Sequence, residues 1–389
     1  MRFFGKITTA LTAFALCQSL YGVSMEERVS TLEKEMKCVY MEVVEEDCEC
    51  NPVVRSCGAW TGSARPEPID CCAWFFTIDA LFWNSHIGGT EYAWKVNQTT
   101  LNDLNAIPLF PLRGTTKDIG FNWDWGFRTG LGYRLPYDGW DLYAEFTYFK
   151  TNGSSSAGAN INGSVIPLRG SSVITLGDGG FIHEFEFCDK AKARFSLDFM
   201  RLDLDLGRDF YVSPKLALKP LFGLVATWVD MKERVDYTGG EENGGLGVNS
   251  VRVKDKDYFK GVGPKFGMES DWYIGAGVSL YANLSGALVY GYHNVDHYEK
   301  FSALEDNKID LGASPHRYAP NVLAQAGIAW QGYFDENEKH VTIQLGFDGQ
   351  YWWRMNQMIK IDESNPLNYE MYSEDLGFIG LNLSFRFDF

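Results

Sequence analysis

Beyond its N-terminus this chain has no run of roughly 18 apolar residues, which excludes a protein that crosses a membrane by helices. It is short of positive charge: 35 Lys and Arg stand against 51 Asp and Glu, a net charge of −16. A protein that grips phosphate backbones needs a basic face, so nucleic acid is not expected as a partner. Histidine is scarce, with six in the chain. His86 and His316 fall in loops, and His293 and His297, flanking Asp296, are read as exposed polar residues where a strand enters a loop. No Gly-rich phosphate cradle or activated nucleophile stands out. No catalytic residue, no cofactor and no metal site is expected, and the chain is not read as an enzyme.

What is present is alternation. The mean hydropathy of −0.21 looks soluble, but a barrel wall alternates and its mean hides it. Aromatics at 15% and 40 glycines agree with a wall of that kind. Leu381, Leu383, Phe385, Phe387 and Phe389 share one face of a strand, and Asn382, Ser384, Arg386 and Asp388 share the other. This resembles the closing strand of bacterial outer-membrane β-barrels, which implies that Phe389 is part of an address read by the barrel-assembly machinery.

Residues 1–24 read as a secretory signal, with Arg2 and Lys6 before an apolar stretch and the small residues Gly22 and Ser24 at its end. Leu16 before Cys17 argues against lipidation. Residues 25–45 carry Val29, Leu32, Met36, Val39 and Val43 at heptad spacing. They suit either a small coiled coil joining subunits or an amphipathic helix lying on a barrel mouth. Residues 46–72 form a linker holding Cys48, Cys50, Cys57, Cys71 and Cys72, just after Cys38. In an exported chain such a cluster, with the distant Cys188, reads as disulfide candidates before metal ligands. Seven mature cysteines leave one thiol free or bridged to another chain.

Residues 73–389 read as an all-β transmembrane antiparallel barrel of about ten strands, with 12 or more if residues 157–187 add hairpins. The strands fall near 74–83, 123–133, 140–148, 194–206, 216–228, 258–268, 280–292, 322–330, 341–353 and 381–389. The fourth loses its phase between Phe199 and Met200, which suggests a β-bulge. Short turns are expected near 134–139, 207–214, 269–273 and 334–339, and long loops near 87–121, 151–192, 229–257, 294–317 and 354–376. An even strand count puts both barrel ends in the periplasm and the long loops outside. Trp74, Tyr133, Trp140, Trp272, Trp330 and Phe389 would form one aromatic girdle, and Trp83, Trp123, Trp228, Tyr292 and Trp353 the other. The residues expected to face the lumen are Asp79, Asp124, Arg128, Arg134, Asp141, Glu145, Arg201, Asp203, Asp205, Lys215, Lys265, Glu269, Asp348, Arg386 and Asp388. In a wide pore they would orient polar solutes; in a narrow one they would pair and plug it.

The signal, the heptads and the cysteine-bearing linker are followed by the strands Trp74–Trp83 and Trp123–Tyr133 and by Leu204-Asp-Leu-Gly-Arg-Asp-Phe-Tyr211. In that order they resemble the major outer membrane protein family of Legionella and chlamydia-related bacteria. The resemblance implies an abundant surface porin embedded in outer-membrane lipid and passing small hydrophilic solutes. It implies a homo-oligomer, a trimer, with disulfide-linked envelope proteins as partners. The alternative is a surface adhesin or disulfide-linked structural envelope protein with a closed lumen.

Overall fold

The computed structural model describes residues 64, 74–96, 114–135, 139–160, 163–170, 173–175, 181–183, 188–239, 250–302, 308–335, 339–361 and 369–389. The chain divides into two units, Met1–Pro52 and Val53–Phe389, and every described residue belongs to the second. The signal, the heptad segment and Cys38, Cys48, Cys50, Cys57, Cys71 and Cys72 lie outside the described residues.

Ten strands make the wall: β1 (Trp74–Ile87), β2 (Trp123–Arg134), β3 (Trp140–Gly158), β4 (Lys190–Arg208), β5 (Leu216–Thr238), β6 (Ser250–Gly275), β7 (Val278–Phe301), β8 (His316–Phe334), β9 (Lys339–Asn356) and β10 (Glu374–Asp388). Each pairs antiparallel with the next. β10 returns to β1, with Phe75 opposite Asp388 and Ile87 opposite Leu376. Trp74 and Phe389 exchange backbone hydrogen bonds of 3.2 and 3.0 Å. The sheet is therefore closed and has no free edge. The extra β structure in 157–187 is not wall. Ser164–Pro167 pairs with Ala93–Val96, which also pairs with Gly114–Lys117, and Val173–Thr175 pairs with Phe181–His183.

The strands are longer than a bilayer requires. β5, β6 and β7 hold 23, 26 and 24 residues, against the roughly 9–11 that cross a membrane. At about 3.3 Å per residue and a tilt of about 45°, β6 rises roughly 60 Å, about twice a hydrocarbon core. Much of the sequence expected as loops at 151–192, 229–257 and 294–317 is thus strand. The turn expected at 269–273 also moves: β6 continues to Gly275 and turns at Ala276 and Gly277. Those two residues have φ of 52° and 77°, the left-handed pair that a two-residue hairpin needs.

Along β4 no register shift interrupts pairing with either neighbour, so there is no bulge at Phe199. Odd residues point inward throughout: Phe195, Leu197 and Phe199 are buried, as are Arg201, Asp203 and Asp205, while Met200, Leu202 and Leu204 face out. The same change occurs on β5, where Phe222 and Leu224 face out but Val229, Met231 and Val235 face in. On β6, Phe266, Met268 and Trp272 face out and Val251, Val253 and Phe259 face in. Met200 lies opposite Trp228, and Trp228 opposite Lys260, so the change falls at one level on three strands. What slips is the solvent, from lipid to water, and not the backbone.

Candidate functional site: the lumen and its seal

The barrel has a short-turn end, where β1 starts and β10 stops, and a long-loop end. Alternation sends a polar side chain inward at every second residue of the lipid-crossing part. Nearest the short-turn end, Asp388 accepts from Arg386 at 2.9 and 3.0 Å, from His340 Nδ1 at 2.8 Å and from Arg134. The Arg386 guanidinium lies 4.0 Å from the centre of the Phe75 ring. Beside this group Lys219 faces Asp141 at 3.4 Å and Asp209 at 3.6 Å.

Two arginine centres follow. Arg128 reaches Asp79 at 3.2 Å, Asp348 at 3.0 Å and Glu145 at 3.3 Å. Arg201 grips Asp203 bidentately at 2.7 and 2.8 Å and donates to Asn321 at 3.1 Å. Lys265 closes the second group on Asp203 at 2.9 Å and Asp205 at 2.7 Å. Planar guanidinium forks suit such shared, buried carboxylates. Room for the rings beside them comes from inward glycines: a Cβ on Gly132 would sit 1.9 Å from the Phe75 ring.

Above the arginines the lumen turns apolar. Trp83, Phe149, Phe199, Trp352 and Phe378 meet there with Leu81 and Leu197, each 3% exposed or less. Trp83 stacks on Phe378 at 5.3 Å, and Phe199 lies 4.9 Å from Phe378 and 6.0 Å from Trp352. Arg128 and Arg201 touch this layer from below, each 5.9 Å from the rings of Trp83 and Trp352 respectively. Trp83 is thus an interior side chain and not a member of the outer girdle.

Two folded-in segments cover the layer. The chain leaves β9 through Arg354, at φ 58°, and buries Met355, Met358, Ile359 and Ile361. Asn356 donates to the Gly88 carbonyl at 2.9 Å, and the Gln357 amide donates to Asp257 on β6 at 2.8 Å. This strap therefore runs from the β1 side to the β6 wall. The second segment brings Tyr92, Val96 and Val165 inside. Arg169 fastens the two: it pairs with Glu233 at 2.7 Å, donates to the Gly89 carbonyl and lies 4.6 Å over the Tyr372 ring. Burial pushes the Glu233 carboxyl up to about 7, with Arg169 partly opposing it.

His293 and His297 are not exposed loop residues. Both lie inside β7 and are buried, because residues four apart on a strand share a face. His293 faces Asp257 at 2.8 Å; His297 faces Asp255 at 2.5 Å and Glu299 at 2.8 Å. Burial works against a charge on His297, but the hydrogen bonds to Asp255 and Glu299 outweigh it and hold the ring protonated to about pH 10.

Of the expected lumen residues, Asp79, Arg128, Arg134, Asp141, Glu145, Arg201, Asp203, Asp205, Lys265, Asp348, Arg386 and Asp388 belong to the ion-pair groups above. Asp124 is half-buried and accepts from Thr151 at 2.6 Å, and Glu269 is half-buried on the inward face of β6. Lys215, expected in the lumen, instead lies exposed in the turn before β5, and Lys219 is the interior lysine. Lys219 was legible, since it alternates between Leu218 and Pro220. Arg169, Glu233, Asp255 and Glu299 were not, because their segments read as loops. Cys188 is buried and unbridged, and burial pushes its thiol up to about 12. Among the described residues no group of His, Cys, Asp and Glu is placed to hold a metal ion.

The family model described as Legionella pneumophila major outer membrane protein precursor matches residues 67–389. No curated protein matches the chain. Among solved structures, the Pseudomonas putida toluene transporter TodX aligns over 84% of this chain and 95% of its own, at 10% identity and a TM-score of 0.29. A Pseudomonas aeruginosa FadL homologue aligns over 81% and 89%, at 6% identity and a TM-score of 0.24. OmpT of Vibrio cholerae aligns over 83% and 100%, at 10% identity and a TM-score of 0.15.

Proposed function

The chain belongs to the Legionella major outer membrane protein family and is an outer-membrane β-barrel, and from that premise we propose that it is a channel for small polar solutes whose described conformation is shut. The observation that carries the proposal is the layering of the lumen. A lining of both charge signs fills the lipid-crossing part, and the aromatic layer of Trp83, Phe149, Phe199, Trp352 and Phe378 closes it. Apolar constrictions gate by excluding water, and a polar solute cannot pass this one until the rings part. The barrier is built partly from residues 357–361, which follow the end of β9 and fold inward, with the Gln357 backbone amide donating to Asp257 of the β6 wall. The long-loop end faces the cell exterior, since long loops of outer-membrane barrels do so.

A second reading, a closed barrel that serves as surface adhesin or envelope element, is favoured by the length of β5–β7 beyond any bilayer. Planar-bilayer recording separates the two. The channel reading expects rare openings in the native protein and frequent ones in Arg169→Gln or in Phe199→Ala/Trp352→Ala. A folded double variant that stays silent would sink it and leave the second reading.

A further inference from the structure

On the outward face of β4–β6, just past the apolar belt, this acidic chain gathers cations. Lys232 lies opposite Lys256, and Arg234 lies between Arg194 and Lys254. Like charges directly opposite one another destabilise a sheet, so the arrangement needs a counter-charge. These five side chains line a groove of about 580 Å³, with Ser196 among them on β4 and Asn152 and Ser154 along its β3 side. Of the acids of the same stretch, Glu233 and Asp255 point inward and are 2% and 1% exposed, while Asp230 and Asp236 on β5 and Asp296, opposite Lys256 on β7, share the outward face with the cations. Arg234 is held by Asp236 at 2.9 Å and Lys232 by Asp230 at 2.5 Å. Among the described residues no carboxylate pairs with Arg194, Lys254 or Lys256.

The height of the groove says what could supply the missing charge. Trp228 is the last large apolar side chain facing out on β5, and Lys232 lies four residues beyond it. At about 3.3 Å per residue and a tilt of about 45°, that places the first cations roughly 9 Å above the belt, in the headgroup zone. We infer that this groove binds the phosphate groups of a phosphorylated glycolipid in the outer leaflet. The guanidinium of Arg194 would take a phosphate bidentately, Lys254 and Lys256 would act as point charges, and the serine hydroxyls would donate further hydrogen bonds. The inference rests on the long-loop end facing outward.

The test is a titration of the full-length protein in neutral detergent with bis-phosphorylated lipid A, its dephosphorylated form and inorganic phosphate. Native lipid A should bind saturably, and Arg194→Ser/Lys254→Ser/Lys256→Ser should weaken it about 100-fold. Lys215→Ser, at the other end of the wall, should leave it unchanged. Equal binding by the triple variant, or equal binding of the dephosphorylated form, would overturn the groove. Competition by inorganic phosphate at concentrations matching lipid A would reassign it to a soluble anion and overturn the lipid. An epitope placed in 240–249 tests the orientation separately. If it is hidden from antibody on intact cells while lipid A binding persists, the outward placement fails and the groove chemistry stands.

Discussion

The lipid-crossing half of the barrel and its extension are made of the same strands but are built inside out with respect to each other. In the first, apolar residues such as Leu204, Leu224 and Phe266 face outward and arginine–carboxylate groups fill the lumen. In the second, Leu197, Val229, Val235 and Phe259 fill the interior and Arg194, Lys232 and Lys256 face outward. The pleat is continuous across the boundary, so the sorting follows the medium around the wall. A strand in lipid must show carbon outward, and a strand in water must hide it.

Four substitutions test that comparison. The largest effect is expected from Leu197→Asp, which buries an unpaired charge in the extension's core and should cost more than about 4 kcal/mol. No folded, heat-modifiable band on a gel is the expected result. A fully folded product would show that the interior there is wet.

Arg128→Met should come next. It strands Asp79, Glu145 and Asp348 without their shared cation, and breaking a buried pair in this way costs about 3–5 kcal/mol. The urea midpoint in micelles would report it, and restoring charge with Arg128→Lys should recover only part, since one ammonium cannot serve three carboxylates.

His297→Gln probes the extension by pH. The folded histidine titrates near 10, above the ordinary value of about 6.5. A raised value means that its contribution is complete below about pH 6.5 and is lost as pH rises through about 10. The variant should be less stable by about 3 kcal/mol at pH 6, and the gap should close by pH 10.5. A constant gap would mean that the ring is neutral. The smallest effect belongs to Arg194→Leu, which changes an outward side chain and, in lipid-free neutral detergent, should shift stability by no more than about 0.5 kcal/mol.

The lipid-crossing half was open to reading from sequence. Alternation gave ten strands and, through Arg128, Arg201 and Asp388, nearly all of the lumen charges, because lipid enforces one rule on every outward position. The extension obeys the opposite rule, so the run Phe195, Leu197, Phe199 looked like a slipped register. Lys254, Asp255, Lys256 and Asp257 looked like a solvated loop. They alternate as cleanly as the wall below, but with charge on both faces, and only pairing across β5–β7 distinguishes the buried carboxylates from the free lysines. Trp83 was misplaced for a similar reason. An aromatic residue at a strand end fits a girdle and a plug equally well, and its parity with Asp79 was the signal that decides it.

The closure of β10 on β1 has a kinetic side. Every other joint in the wall links strands that follow one another along it, and those closed by tight turns, such as β6 to β7 through Ala276 and Gly277, can form as local hairpins with little loop entropy to overcome. The seam between Phe75 and Asp388 is the one joint whose partners lie at opposite ends of the wall. It can form only after all the others are aligned, and until then two strands offer unpaired amides and carbonyls. The slow step of assembly, and the moment of greatest exposure to mispairing with another copy, should both lie at that seam.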